Sequence, residues 1–108
     1  MKKLISIIRM KSMPVTNVSV TRGDENGEIN ITWDSLRHAE LYVIQYGTGS
    51  RGDQKEDVSW KVADIINESN YTIKGLKKSK TYLFRVAAVT AKKQGPWSKT
   101  VKKSIDNN

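Results

Sequence analysis

Cysteine is absent from this chain of 108 residues. That removes disulfide staples, thiolate metal sites and thiol redox chemistry at once. Histidine occurs once, as His38, so no multi-histidine metal centre can form and acid–base catalysis lacks its commonest participant. Long apolar runs are missing as well. The stretch LISII (4–8) stops at Arg9, short of the about 7–15 apolar residues of a secretory h-region and the roughly 20 of a membrane-spanning helix. The expectation is no signal peptide and no membrane span in this chain, which leaves the compartment open: cytoplasmic or released by a non-classical route, unless the sequence is truncated. No serine or threonine sits in a nucleophile motif, and no glycine-rich phosphate loop occurs. The carboxylate pairs Asp24/Glu25 and Glu56/Asp57 are sequence neighbours in turn-rich segments, without the fixed separation that acid–base chemistry needs. The sequence predicts no enzyme, no metal and no cofactor.

What is present in excess is positive charge: 19 basic against 11 acidic residues, a formal net charge of +8. The lysines are scattered over many turns and accompany no nucleic-acid motif, so a solvated basic surface is expected, with no specific nucleic-acid partner. An alternative is weak polyanion binding through Lys74, Lys77, Lys78 and Lys80 with Lys99, Lys102 and Lys103. The length leaves room for one domain with one core.

From Pro14 onward, short alternating segments dominate. EINITW (28–33) places Ile29, Ile31 and Trp33 on one face. LYVIQY (41–46) aligns Tyr42, Ile44 and Tyr46, and TYLFRVAAV (81–89) aligns Tyr82, Phe84, Val86 and Ala88. Period-two alternation describes strands with one buried face. Shorter candidates are NVSVT (17–21), SWKVA (59–63), NYTI (70–73) and SKTVKKS (98–104). The intervening DENGE, GTGSRGD, GLKKSK and KKQGP are rich in turn formers. About seven strands without a helical period predict an all-β, two-sheet antiparallel sandwich. Its expected core is Val18, Val20, Ile29, Ile31, Trp33, Tyr42, Ile44, Tyr46, Trp60, Val62, Ile73, Leu76, Tyr82, Phe84, Val86 and Ala88.

The segment YTIKGLKKSKTYLFRVAAVTAKKQGPWS (71–98), with Trp33 and YVIQY before it, resembles a fibronectin type III domain, an immunoglobulin-like sandwich. The resemblance runs from Pro14 to about Ser104. It assigns residues 1–13 to a basic and apolar leading segment, 14–104 to the domain and 105–108 to a disordered tail. Gly75-Leu76 precedes Tyr82 by the spacing of the family's tyrosine corner, which implies a hydroxyl turned back to the preceding loop. Trp33 corresponds to the core tryptophan, and Lys78 stands where proline is frequent, which should loosen the loop. GPWS (95–98) resembles the end of many bacterial members. The implied role is a non-enzymatic interaction or spacer module that contacts an unidentified protein through loops or a sheet edge. Candidate ligand-facing residues are Arg51, Gly52, Asp53, Lys92, Lys93, Gln94 and Trp97; Trp33, Leu76 and Tyr82 are structural. Trp97 is also the single candidate for an accessory carbohydrate-binding role.

Two Arg-Gly-Asp tripeptides, at 22–24 and 51–53, raise integrin recognition. In the family the integrin-binding tripeptide lies between the last two strands, here TAKKQGP (90–96), which has none. Both copies then fall at the opposite end of the sandwich, and Gly-Asp is ordinary turn chemistry. Integrin binding is therefore not expected. His38 is read as a solvated loop residue, and the Asn-x-Ser/Thr triplets starting at Asn17, Asn30, Asn67 and Asn70 matter only in a glycosylating compartment. Leu4, Ile5, Ile7 and Ile8 suit a free tail poorly and are expected to seek burial against this domain or a second copy, the favoured expectation being a homodimer through residues 4–8 and the alternative a disordered leader.

Overall fold

The computed structural model describes residues 13–48 and 58–105. The segment 4–8 and the tripeptide Arg51–Asp53 lie outside the described residues. All regular structure among the described residues is antiparallel β: β1 (Ser19–Arg22), β2 (Ile29–Thr32), β3 (Leu41–Thr48), β4 (Lys61–Ile66), β5 (Asn70–Ile73), β6 (Thr81–Val89), β7 (Gln94–Trp97) and β8 (Val101–Ser104). One sheet has the order β1-β2-β5. The other runs β4-β3-β6-β7, with β8 also pairing with β6. Two such sheets, each with an apolar inner face, form a sandwich.

The inner faces of β2, β3 and β6 are the predicted ones. Ile29 and Ile31 from β2 meet Ile44 from β3 and Phe84 and Val86 from β6, all essentially inaccessible to solvent. Each such side chain stabilises by about 1.5–3 kcal/mol on full burial. Trp33 is buried and meets Tyr42 edge-on, with ring centroids 5.4 Å apart. Its indole Nε1 has no protein acceptor among the described residues. Two buried tyrosines tie loops to the core from opposite ends. The Tyr82 hydroxyl accepts from the Lys77 amide at 2.9 Å, and the Tyr42 hydroxyl accepts from the Leu36 amide at 2.9 Å. Leu76 packs half-buried against the core, and its amide donates to Gly27 at 3.0 Å. Gly27 has φ +79°, and a Cβ there would lie 2.7 Å from the Leu76 carbonyl oxygen, so the position requires glycine twice over. On the open side, Tyr71 lies beside Asp64 of β4. Burial, and then the Asp64 carboxylate, raise its phenol above the ordinary value.

The structure corrects the predicted core at several points. Trp60 and Val62 are not core residues. Ile44 pairs with Asp64 but Gln45 pairs with Val62, leaving Ala63 as an extra residue in β4. This bulge reverses the in–out alternation. Ala63 and Ile66 therefore pack on the core, whereas Val62 points away and is 53% exposed. The core gains Val15, ahead of the first strand, and Ile105. Ile105 belongs to the domain rather than to a tail: its amide donates to Lys80, and it accepts from Ser79.

The expected last strand, 98–104, starts only at Val101 as β8, and it is preceded by β7 at Gln94–Trp97, where the sequence predicts a turn. The interruption is at Ser98, a buried polar residue. Its amide donates to the Val86 carbonyl at 2.8 Å, while its hydroxyl accepts from the Val86 amide at 3.0 Å and donates to the Lys99 carbonyl at 3.0 Å. The side chain thus takes the place of one backbone partner, and the ladder resumes at Val101 opposite Phe84.

These bonds have measurable consequences in denaturant unfolding. Tyr82→Phe loses one net hydrogen bond and should cost about 0.5–1.5 kcal/mol. Ser98→Ala strands a buried Val86 amide and should cost about 1–3 kcal/mol. A Ser98→Ala chain as stable as the parent would show that the ladder closes without the hydroxyl.

Candidate interaction surfaces

The two ends of the sandwich differ in construction. At one end the chain between β2 and β3 turns at Leu36–Ala39, where the Ala39 amide donates to Leu36 and His38 takes a left-handed φ of 70°. The adjacent β6–β7 connection is shorter than predicted, because Gln94–Trp97 is strand and only residues 90–93 turn. Thr90 closes that turn: its amide donates to the Lys93 carbonyl, and its hydroxyl accepts from the Lys92 and Lys93 amides. The Glu40 amide, bonded to the Val89 carbonyl, fixes the two turns relative to each other.

A groove of about 430 Å³ opens between them. Met13, Leu36, Ala39 and Ala88 give it apolar walls, and Arg37, Lys92 and Lys93 outnumber Glu40 on its rim. The structure thus brings Lys92 and Lys93 together with His38, which is exposed. Gln94 is exposed at the start of β7, opposite Val89.

Trp97 is elsewhere. Opposite Ala87, it faces outward from the five-stranded sheet, away from the core. There the Arg85 guanidinium lies between two indoles, 4.1 Å from the Trp60 ring centroid and 4.3 Å from that of Trp97. Its Nε donates to the Gln45 side-chain oxygen at 2.8 Å, and burial holds its proton affinity below the ordinary arginine value. One face of Trp97 is therefore occupied by arginine, which narrows its use as a sugar-stacking platform. Trp60 arrives because the chain at 58–59 passes directly over Gly47, where a Cβ would sit 2.7 Å from the Ser59 carbonyl oxygen. This stack escaped sequence reading. Its signal was present in the outward position of Arg85 between Leu83 and Ala87, but pairing with Trp60 depends on the β4 bulge.

The tripeptide Arg22–Asp24 belongs to the other end. Arg22 is the last residue of β1, paired with Ile29, and the Gly23 amide donates to the Glu28 carbonyl at 2.9 Å. It begins a hairpin turn. The chain leaves β3 at Thr48, opposite Tyr82 and remote from the 90–93 turn. Among the described residues no group of three or more His, Cys, Asp or Glu side chains could hold a metal, and no helix is long and apolar enough to cross a membrane.

The outward stack and the core tryptophan should separate in a stability measurement. Trp60→Ala is expected to lose a partly exposed cation–π contact, about 0.5–2 kcal/mol. Trp33→Ala leaves a core cavity and should cost about 3–5 kcal/mol. Equal losses in thermal or denaturant unfolding would place Trp60 in the core after all.

Residues 13–104 match the family model for the fibronectin type III domain. Over 100 residues, 90% of this chain, the sequence is 31% identical to receptor-type tyrosine-protein phosphatase S of Gallus gallus, and it spans 6% of that protein's length. Similar solved structures include the FN5 domain of Drosophila Lar (TM-score 0.70, 18% identity, covering 90% of this chain and 99% of that one). Another is an Fn3-like protein from Clostridium thermocellum (TM-score 0.68, 22% identity, covering 82% and 86%). A third is the sixth fibronectin type III domain of human fibronectin type III domain containing protein 3 (TM-score 0.72, 20% identity, covering 90% and 88%). With its inner faces, its strand order and residues 13–104 in agreement, the chain belongs to the fibronectin type III family.

Proposed function

We propose that the chain is a non-enzymatic interaction module that holds a partner protein in the groove between the 36–40 and 90–93 turns. The observation that carries this reading is the groove itself: apolar walls, a basic rim and two turns held to each other by the Glu40–Val89 hydrogen bond. Pre-formed concave sites of this kind, with few polar groups on their rim, are suited to binding. Fibronectin type III domains are interaction and spacer modules and generally carry no catalytic centre, a background that supports the reading by analogy. The rim favours an occupant with an apolar side chain flanked by acidic ones.

The deciding experiment is affinity capture from a native lysate with the immobilised full chain, alongside a Lys92→Glu/Lys93→Glu variant of unchanged thermal midpoint. Both lysines are exposed, so the variant should fold. A partner retained by the parent should be lost from the variant. Equal retention by both would remove the groove from the binding function.

Neither tripeptide should support integrin adhesion. Gly23 is held in the hairpin ladder, and the chain enters the segment holding the second copy at the end away from the 90–93 turn. Cells should not spread on the immobilised domain. Spreading that disappears with Asp24→Glu or Asp53→Glu would reverse that conclusion.

A further inference from the structure

A second surface, unconnected with the groove, lies on the outer face of the five-stranded sheet. Antiparallel register sets its members. Opposite the inward Tyr42, Ile44 and Tyr46 of β3 stand the outward Leu41, Val43 and Gln45, and β6 presents Leu83, Arg85 and Ala87. Val43, Leu83 and Ala87 are buried, yet they are not part of the cluster between the sheets. They form a separate apolar layer around the Trp60–Arg85–Trp97 stack. Beside it, on β4, Val62 and Ile65 are each 53% exposed, and Leu41 at the start of β3 is 39% exposed. An outer sheet face in water ordinarily alternates to polar residues. This one does not.

Its electrostatics are one-sided. Arg85 is central and Lys102 faces outward opposite Leu83, whereas no outward residue of β3, β4, β6, β7 or β8 is acidic. Asp64 is opposite Ile44, on the inner side, beside Tyr71. Arg85 spends its Nε on Gln45, and its planar guanidinium packs against both indoles. Among the described residues its terminal N–H donors meet no acceptor, and the one ion pair joins Lys74 to Glu28. A planar guanidinium packed against two indoles has lost its rotational freedom before any partner arrives. Its free edge matches the two oxygens of a carboxylate. Clamping by indoles also lowers the local dielectric, which strengthens any such pair.

We propose that this face is a docking surface for a partner protein that presents an aspartate or glutamate beside aliphatic side chains, with the carboxylate received bidentately by Arg85. The sheet sets the spacing. Gln45 pairs with Val62 on one side and Arg85 on the other, so the exposed β4 aliphatics stand two strands, about 10 Å, from the guanidinium. The matching partner carries its carboxylate about 10 Å from an apolar side chain, a distance that an extended segment covers in about three residues. The charge of the face argues against a neutral apolar occupant, which would leave the Arg85 donors buried and unpaired.

The probe is a random-peptide phage library selected on the immobilised full chain, with the enriched peptides then synthesised and titrated by tryptophan fluorescence. Enriched peptides should contain Asp or Glu with an apolar residue about three positions away. Replacing that acid by its amide, or Arg85→Gln in the protein, should each weaken binding about tenfold or more. Arg85→Lys keeps the charge without the fork and should fall between parent and Arg85→Gln. Should Arg85→Gln fail to fold, the peptide amide and Arg85→Lys carry the same comparison. Enrichment without acidic residues, affinity indifferent to Arg85, or binding lost only in Lys92→Glu/Lys93→Glu would overturn the proposal. So would self-association of the full chain that Arg85→Gln abolishes, since it assigns the face to a second copy.

Discussion

Eight consecutive antiparallel pairs join β3 to β6, from Leu41↔Val89 to Thr48↔Tyr82, and nearly everything else in the domain is placed by them. Their inward members include Tyr42, Ile44, Phe84 and Val86, the floor on which β2 lays Ile29 and Ile31. Their outward members include Gln45 and Arg85, whose side-chain hydrogen bond crosses the same two strands. Because the side-chain period of a strand is two, a slip of one residue would exchange these sets and expose the core. The register is therefore held by burial on the inside, and it also sets which residues, among them the buried Val43, Leu83 and Ala87, lie on the outer face.

The ends of that ladder are finished by polar groups rather than by apolar mass. Tyr82 at one end and Tyr42 at the other each keep a ring in the core and give a hydroxyl to a loop amide, of Lys77 and Leu36 respectively. Ser98 performs a related task within the sheet, where its hydroxyl satisfies the Val86 amide at the break between β7 and β8. Buried backbone groups left without partners cost more than a made bond returns. These three side chains consequently control where the chain can turn. The 36–40 and 90–93 turns that form the groove follow from this anchoring, since Tyr42 fixes the first and the Glu40–Val89 bond ties it to the second.

The two surfaces differ in how they are held. The groove is made of turns and carries cations on its rim at Arg37, Lys92 and Lys93, beside Glu40. The outer face is made of strands and carries one immobilised arginine between two tryptophans. Rigid presentation on strands lowers the ordering cost of a partner contact, whereas exposed lysines contribute mainly attraction at longer range. The two surfaces share no residue, so substitutions can address them separately.

Alternation made β2 and β5 readable, and the inward Tyr42, Ile44, Tyr82, Phe84 and Val86 made β3 and β6 readable, although both of these also bury outward residues. Tyr82 and Trp33 were legible for the same reason, aided by the spacing of Gly75-Leu76. Lys92 and Lys93 were legible as turn residues, although their groove was not, since its other wall comes from Leu36–Glu40, far earlier in the chain. Trp60 and Val62 were misread because strict alternation cannot register the extra residue Ala63, which matters only once β4 pairs with β3. Ile105 and Val15 were missed because single apolar residues outside a strand show no period. The amino-acid order thus determined which segments are strands, which face of each is apolar and that two sheets must close on one another. Only the tertiary structure decided how β4 is bulged, where β7 stops and what meets Arg85, because each depends on a partner strand that local sequence cannot specify.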